Sequence, residues 1–264
     1  MIFKLSGAAV RALGKLWGAA RVLSNLPAAV LALALTGCPA VPQGARAPLP
    51  AAAAGQQPPS PPGYLQGHEG RPYDVVSGQS LLTILAFRGG ALAKAGHNHV
   101  IASHTVTGTF YVPEDVSRTS FELHVPVAEL TIDEPDLRSQ QGADFPADVP
   151  ESAKEGTRHN MLSEVLLNAA QYPEIVLTGQ HAGTAPAGSP MQAQVQVTLC
   201  GQAHTLSVSL LYSLQADQLE VSGTTPVRQS ELGLAPFSAL LGALQVQDEL
   251  RVSFHFVARR AIVH

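Results

Sequence analysis

Between residues 191 and 199 every second side chain is apolar. Met191, Ala193, Val195, Val197 and Leu199 fall on one face and Gln192, Gln194, Gln196 and Thr198 on the other, an alternation that only an extended strand keeps to one side. Gly201-Gln202-Ala203 turns the chain, and Leu206, Val208, Leu210, Tyr212 and Leu214 alternate in the next run. After Ala216-Asp217-Gln218 a third run sets Leu219, Val221 and Gly223 together, so this stretch reads as a meander of hairpins. Upstream, Val100, Ala102, His104, Val106, Gly108 and Phe110 share one face of a single strand over residues 100–110, and Phe121, Leu123, Val125 and Val127 mark another. Runs at 81–87, 174–180 and 250–258, the last with Leu250, Val252, Phe254 and Phe256 inward, bring the number to about eight. Strands of that number and even spacing suit a sandwich or a closed barrel, and closure removes the exposed edges such a sheet would otherwise present.

Two segments change period. Residues 158–170 place Met161, Leu162, Val165, Leu166 and Ala169 at helical spacing ahead of Tyr172-Pro173, where the proline ends the helix. Residues 236–244 predict a second short helix with Phe237, Leu240, Leu241 and Leu244 on its stripe. Helices of this kind plug or roof a barrel mouth. The polar segment 133–157 is long for a loop, which marks it as mobile or functional.

The first 26 residues carry Lys4, Arg11, Lys15 and Arg21 with no acid, and an apolar run too short to span a bilayer follows over 26–35. It ends in Leu35-Thr36-Gly37-Cys38, which resembles the lipobox of bacterial lipoproteins, whose cysteine thiol takes the lipid. The alternatives are an uncleaved membrane anchor or a chance cysteine behind a secretory signal. On the lipobox reading residues 1–37 are a signal peptide, Cys38 becomes the lipidated N-terminus, and more than one acyl chain makes attachment stable. Residues 38–72 are then a linker dominated by Pro, Ala, Gly and Gln, too poor in large apolar side chains to bury a core. Residues 73–264 form the β domain. Pro39 stands where many inner-membrane lipoproteins carry Asp, which favours the outer membrane within a cell-envelope, periplasm-facing location.

Composition removes several function classes. The net charge is -4, from 16 Lys+Arg and 20 Asp+Glu, and the basic residues are scattered, so no nucleic-acid footprint is present. Loss of residues 1–37 takes away four positive charges and no negative ones, which carries the mature chain to a net charge of -8. The two cysteines, Cys38 and Cys200, form neither a disulfide framework nor a Cys-x-x-Cys pair. No Gly-x-Ser-x-Gly elbow, phosphate loop or dinucleotide fingerprint occurs. Cys200 and His204 are close in sequence, but a packed thiol beside a hairpin explains them without catalysis. The chain is therefore expected not to be an enzyme.

The order of segments resembles the YceI-like family of bacterial exported lipid-binding proteins over roughly residues 73–259. The resemblance rests on the strand and loop over 81–99, Gly108-Thr109-Phe110, the helix leading into Gln171-Tyr172-Pro173-Glu174-Ile175, the hairpin Val197-Thr198-Leu199-Cys200-Gly201 and the closing stretch 233–256. It implies an all-β fold: an extended, antiparallel, eight-stranded, lipocalin-like barrel with one or two short helices, its interior holding a long polyisoprenoid chain. The chain departs from the family where Asn160-Met161 replaces a common His-Leu, and Gly96-His97-Asn98-His99 suits a histidine-rich subgroup.

Two kinds of site follow. An isoprenoid tail needs an apolar tunnel with a polar mouth, and the inward faces offer Val106, Phe110, Leu123, Val125, Val195, Val197, Leu206, Val208, Leu210 and Phe254 as walls, with Val165 and Phe237 from the two helices. Ordinary core packing accounts for the same apolar faces. The second candidate is a metal or haem site on His97, His99 and His159, with His104 on the apolar face of the next strand. Imidazole is a common ligand for zinc, copper or iron, and hydrogen-bonded loop histidines, with His104 a satisfied buried one, are the plainer alternative. The partners expected are thus a hydrophobic isoprenoid-type lipid and, through Cys38, a membrane, with the oligomeric state open between monomer and homodimer. No cofactor is expected on the lipid reading, and a metal or haem on the other.

Overall fold

In the computed structural model, which describes residues 68–181 and 189–261, the alternating runs become antiparallel strands whose apolar faces all turn toward one interior. In chain order these are β1 (Arg71–Val75), β2 (Leu81–Ala86), β3 (Arg88–Gly89), β4 (His99–Ser103), β5 (Thr107–Val112), β6 (Ser120–Pro126) and β7 (Thr131–Ile132). Helices α1 (Pro135–Ser139) and α2 (Glu151–Leu162) follow, and then β8 (Glu174–His181), β9 (Met191–Leu199), β10 (Gln202–Gln215), β11 (Gln218–Arg228), β12 (Ser238–Ala239), β13 (Leu244–Val246) and β14 (Glu249–Arg260). Eight of them close a ring in the order β1-β5-β6-β8-β9-β10-β11-β14, with β14 pairing back onto β1. The expected signal peptide, Cys38 and most of the expected linker lie outside the described residues.

The ring divides at one place. One edge of β14 pairs with β1 through residues 258–260 and with β2 through residues 251–255, so β2, β4 and β7 leave the barrel as a side sheet. Where β1 gives way to β2 the ladder would lose a partner for the Val257 N–H. The buried Ser80 fills the gap: its Oγ accepts from Val257 N at 3.0 Å and donates to Val76 O at 3.0 Å.

The same division explains a misread strand. Residues 100–110 alternate as one run, yet the chain breaks between Ser103 and Thr107, because β4 pairs with β2 while β5 pairs with β1. His104 falls in the break. It does not occupy an apolar face but stands half-exposed, with Nε2 2.9 Å from Glu134. The ring's eighth strand is β1, which carries only one buried residue, Tyr73, and so shows almost no alternation.

Both helix readings need correction. The helix ahead of Tyr172 spans Glu151–Leu162 rather than 158–170, because its first two turns are polar and only Met161 is buried. Beyond it, Ser163 bonds back to the His159 and Asn160 carbonyls and the chain continues in tight turns. Residues 236–244 form no α-helix and keep only a distorted 3-10 turn at Leu240–Gly242. They form a hairpin in which β12 pairs with β13, and β13 pairs with β3, around a turn with left-handed backbone at Leu240 and Leu241. The polar segment 133–157 is held rather than loose, since Asp133, Leu137, Arg138, Phe145 and Val149 are all buried.

Ser80→Ala should lower stability by about 1–3 kcal/mol, the cost of a buried amide left without its acceptor. Ser80→Thr, which keeps the hydroxyl, should recover part of that loss. Urea melts of the three proteins give the comparison.

Candidate functional site

The ring encloses a cavity of about 610 Å³, within the range of roughly 300–1,000 Å³ that ligand sites occupy. Its walls are the inward faces of the strands. Phe110, Leu123, Val125, Val195, Val197, Val208 and Phe254 all line it, with Leu206 and Leu210, and Phe237 reaches it from the hairpin rather than from a helix. Two candidates lie elsewhere. Val106 is fully buried but packs in the surrounding core, and Val165 is 77% exposed, because the helix ends before it and the following turn points it at solvent.

Two phenyl rings lie flat along this wall because the residues beneath them lack a side chain. A Cβ at Gly179 would come within 2.6 Å of the Phe121 ring, and one at Gly223 within 2.6 Å of the Phe254 ring. Each glycine is the cross-strand partner of its phenylalanine. This pairing lays the aromatic face toward the interior and keeps the lumen wide.

Polar groups gather at one end, where the loop after β2, strand β4 and helix α2 meet. Asp133 lies at its centre, buried, with a left-handed backbone. Its Oδ1 accepts from Val100 N at 2.9 Å and from the fully buried Arg138, and its Oδ2 is 2.7 Å from His99 Nδ1. Arg138 also donates to the Pro146 and Asn98 carbonyls at 2.8–2.9 Å. Burial opposes ionisation of Asp133, but the bonds from His99 and Val100 N–H outweigh it and hold the carboxyl below its ordinary value. The carboxylate therefore places the His99 proton on Nδ1. His99 Nε2 then meets the Thr157 hydroxyl at 3.1 Å, which ties α2 across the end of the cavity. His99 and Thr157 both line it.

The three-histidine site is not assembled. His97 and His99 stand together with ring centroids 6.2 Å apart, but His159 is exposed and Thr157 takes the place facing His99. Within one helix, two residues apart point to different sides. Among the described residues no three His, Cys, Asp or Glu side chains converge as metal ligands. Burial, and next the neighbouring His99, Arg138 and Arg88, push the His97 pKa down. The Cys200 thiol donates to the Leu166 and Leu167 carbonyls at 3.4 Å, and burial pushes its pKa up, the reverse of what activates a nucleophile. Asp133, Arg138 and Thr157 went unread in the sequence because nothing local links them. The only signal was an Asp and an Arg in a long polar segment with no strand or helix period.

A family model described as the YceI-like domain matches residues 82–258. The chain belongs to the YceI-like family. No curated protein matches it. Among solved structures, Burkholderia cenocepacia BcnA has a TM-score of 0.50 at 15% identity, over 70% of this chain and 99% of that one. A polyisoprenoid binding domain from Saccharophagus degradans gives 0.48 at 12% identity, over 72% and 98%. A Campylobacter jejuni YceI protein gives 0.44 at 8% identity, over 60% and 82%. The YceI-like chain described here shares its fold with BcnA.

Asp133→Asn should destabilise the YceI-like domain by about 3–5 kcal/mol, since it leaves Arg138 buried without its counter-charge. The pH dependence has a defined sign. A carboxyl held below its ordinary value contributes stability that is full above that value and lost as pH falls through the lowered one. His97, also lowered, binds fewer protons folded than unfolded, so it adds a loss of the same sign below the ordinary imidazole range. Thermal melts between neutral and acid pH should therefore fall steadily, and Asp133→Asn should flatten the acid end of the curve.

Proposed function

We propose that this protein is an envelope lipoprotein that holds one hydrophobic, isoprenoid-type lipid in its barrel and carries it without turnover. The cavity is the observation that supports this reading most. It is large, its walls are aliphatic and aromatic nearly throughout, and its basic residues, Arg88, His97 and His99, sit together at one end. Such a lumen offers a long chain no hydrogen bond and asks none of it. Each methylene taken from water contributes about 0.8 kcal/mol, so chain length sets affinity. The isoprenoid class rests on the family resemblance. The anchor rests on Cys38 and the run before it, which would tether the barrel through acyl chains beyond a Pro- and Ala-rich spacer, with the outer membrane favoured by Pro39.

Native mass spectrometry after gentle purification should show a co-purified hydrophobic ligand. Val208→Trp separates an open lumen from a filled core. In a solid core the added ring would cost about 1–3 kcal/mol through overpacking, whereas in the lumen it should leave the melt near native and displace a polyprenyl or quinone chain. Val165→Asp, at an exposed turn, should change neither. An empty wild-type protein with no affinity for such chains would overturn the reading.

A further inference from the structure

The polar end of the cavity has a definite charge. Apart from Tyr212, every titratable residue that lines the lumen is basic: Arg88, His97 and His99, with no Asp or Glu among the lining residues. The protein as a whole is acidic. The carboxylate whose charge reaches His97, Asp133, is buried behind the wall and already engaged by Arg138, His99 and Val100 N–H. His99 is held at both ring nitrogens, by Asp133 and Thr157. Neither ring nitrogen of His97 meets a hydrogen-bond partner among the described residues. Arg88 spends one N–H on the Gly96 carbonyl at 2.8 Å, which fixes the guanidinium beside His97 and leaves its other donors free for a ligand. The Asn98 side chain holds this turn by accepting from Arg88 N and donating to Asp144 O, each at 2.9 Å.

We propose that the ligand of this cavity is an amphiphile with an anionic oxygen head, a carboxylate or a phosphate, whose tail fills the lumen and whose head is taken by Arg88 and His97. This rests on the lipid-binding reading and adds the chemistry of the head. A neutral imidazole donates one N–H, and a fork-shaped guanidinium donates in pairs to a planar or tetrahedral oxyanion. Set at the end of an apolar tunnel, with no carboxylate facing them, they select charge where the walls select length.

Two matched pairs of probes test it: palmitate against hexadecanol, and farnesyl phosphate against farnesol, each displacing the neutral dye N-phenyl-1-naphthylamine from the full-length protein. The anionic member of at least one pair should bind roughly tenfold or more tighter, as a charge-assisted hydrogen bond implies. The pair that shows the larger ratio identifies the head as carboxylate or phosphate. Arg88→Gln and His97→Gln should abolish the ratio and leave the alcohols bound as before. Alcohols that bind as tightly as their anions overturn this proposal and leave the lipid reading standing. If none of the four displaces the dye, the lipid reading fails as well.

A separate observation concerns how such a ligand enters. At the tip of the β12–β13 hairpin, Leu240 is 68% exposed and Leu241 fully exposed, both with left-handed backbone. Leu92, also exposed, bonds through its N–H to Ala243 O at 2.7 Å, which sets all three leucines on one prominence. Phe237 and Leu244 of the same hairpin line the cavity, so the prominence forms its rim. Residues 88–98 and 232–247 contain no acid, and Lys94 is exposed beside Leu92. We infer that this rim inserts its leucines into an anionic lipid surface and so opens the cavity toward the membrane.

Hydrogen exchange of the full chain should show residues 238–244 protected by phosphatidylcholine vesicles containing phosphatidylglycerol. Leu240→Ser with Leu241→Ser should slow the passage of a pyrene-labelled fatty alcohol from those vesicles into the protein by roughly tenfold or more, since the lost apolar contact acts on insertion. Its affinity measured without vesicles should stay unchanged. An unchanged transfer rate, or affinity lost together with rate, overturns the inference.

Discussion

A hollow barrel cannot be held together by what fills it, so the hydrogen-bonded closure of its ring has to bear that role. Closure here falls on β14, which accepts β11 along one edge and both β1 and β2 along the other. Every wall of the lumen inherits its position from that strand. The division of its second edge forces the break between β4 and β5, sends β2, β4 and β7 out as a side sheet, and opens the end of the barrel where the polar groups collect. Ser80 makes the division tolerable by supplying with its side chain the bond the ladder would lose.

The open end is set by charge rather than by packing. Arg138 and Asp133 are both removed from water, and a pair in that state is tolerated only when its remaining donors and acceptors are used. Most are: carbonyls of Asn98 and Pro146, the Val100 amide and the His99 ring take them up. Through His99 the network reaches Thr157, so the polar helix α2, which buries little apolar surface of its own, is positioned by a hydrogen bond at the cavity wall. The same arrangement keeps the Asp133 carboxylate out of the lumen and leaves basic groups facing it. A structural device and the electrostatic character of the site thus have one origin.

The walls were legible in the sequence because strand alternation is local. Met191 to Leu199 could be assigned to one face without knowing what lay opposite, and that face is the one that lines the cavity. Wherever the outcome depended on distant pairing, the pattern misled. Val100 and Phe110 share a period yet belong to strands with different neighbours, and β1 joins the ring through backbone bonds that leave almost no mark on its side chains. The apolar spacing of Leu240, Leu241 and Leu244 suited a helix until the pairing of β12 with β13 made it a hairpin. Val165 kept helical spacing in a segment where the helix had already ended.

By itself the sequence determined which side chains face inward, since a two-residue period allows no other arrangement along a strand. It also carried the order of segments by which the family is recognised. Only the tertiary structure decided that those faces surround a cavity instead of meeting in a packed core, because the volume left inside a closed ring follows from how strands are staggered and where glycines let aromatic rings lie flat. It alone brought Asp133, Arg138, His99 and Thr157 together and left His159 outside. Those contacts join residues up to 58 positions apart, and the energy of a buried ion pair depends on neighbours that no local period records.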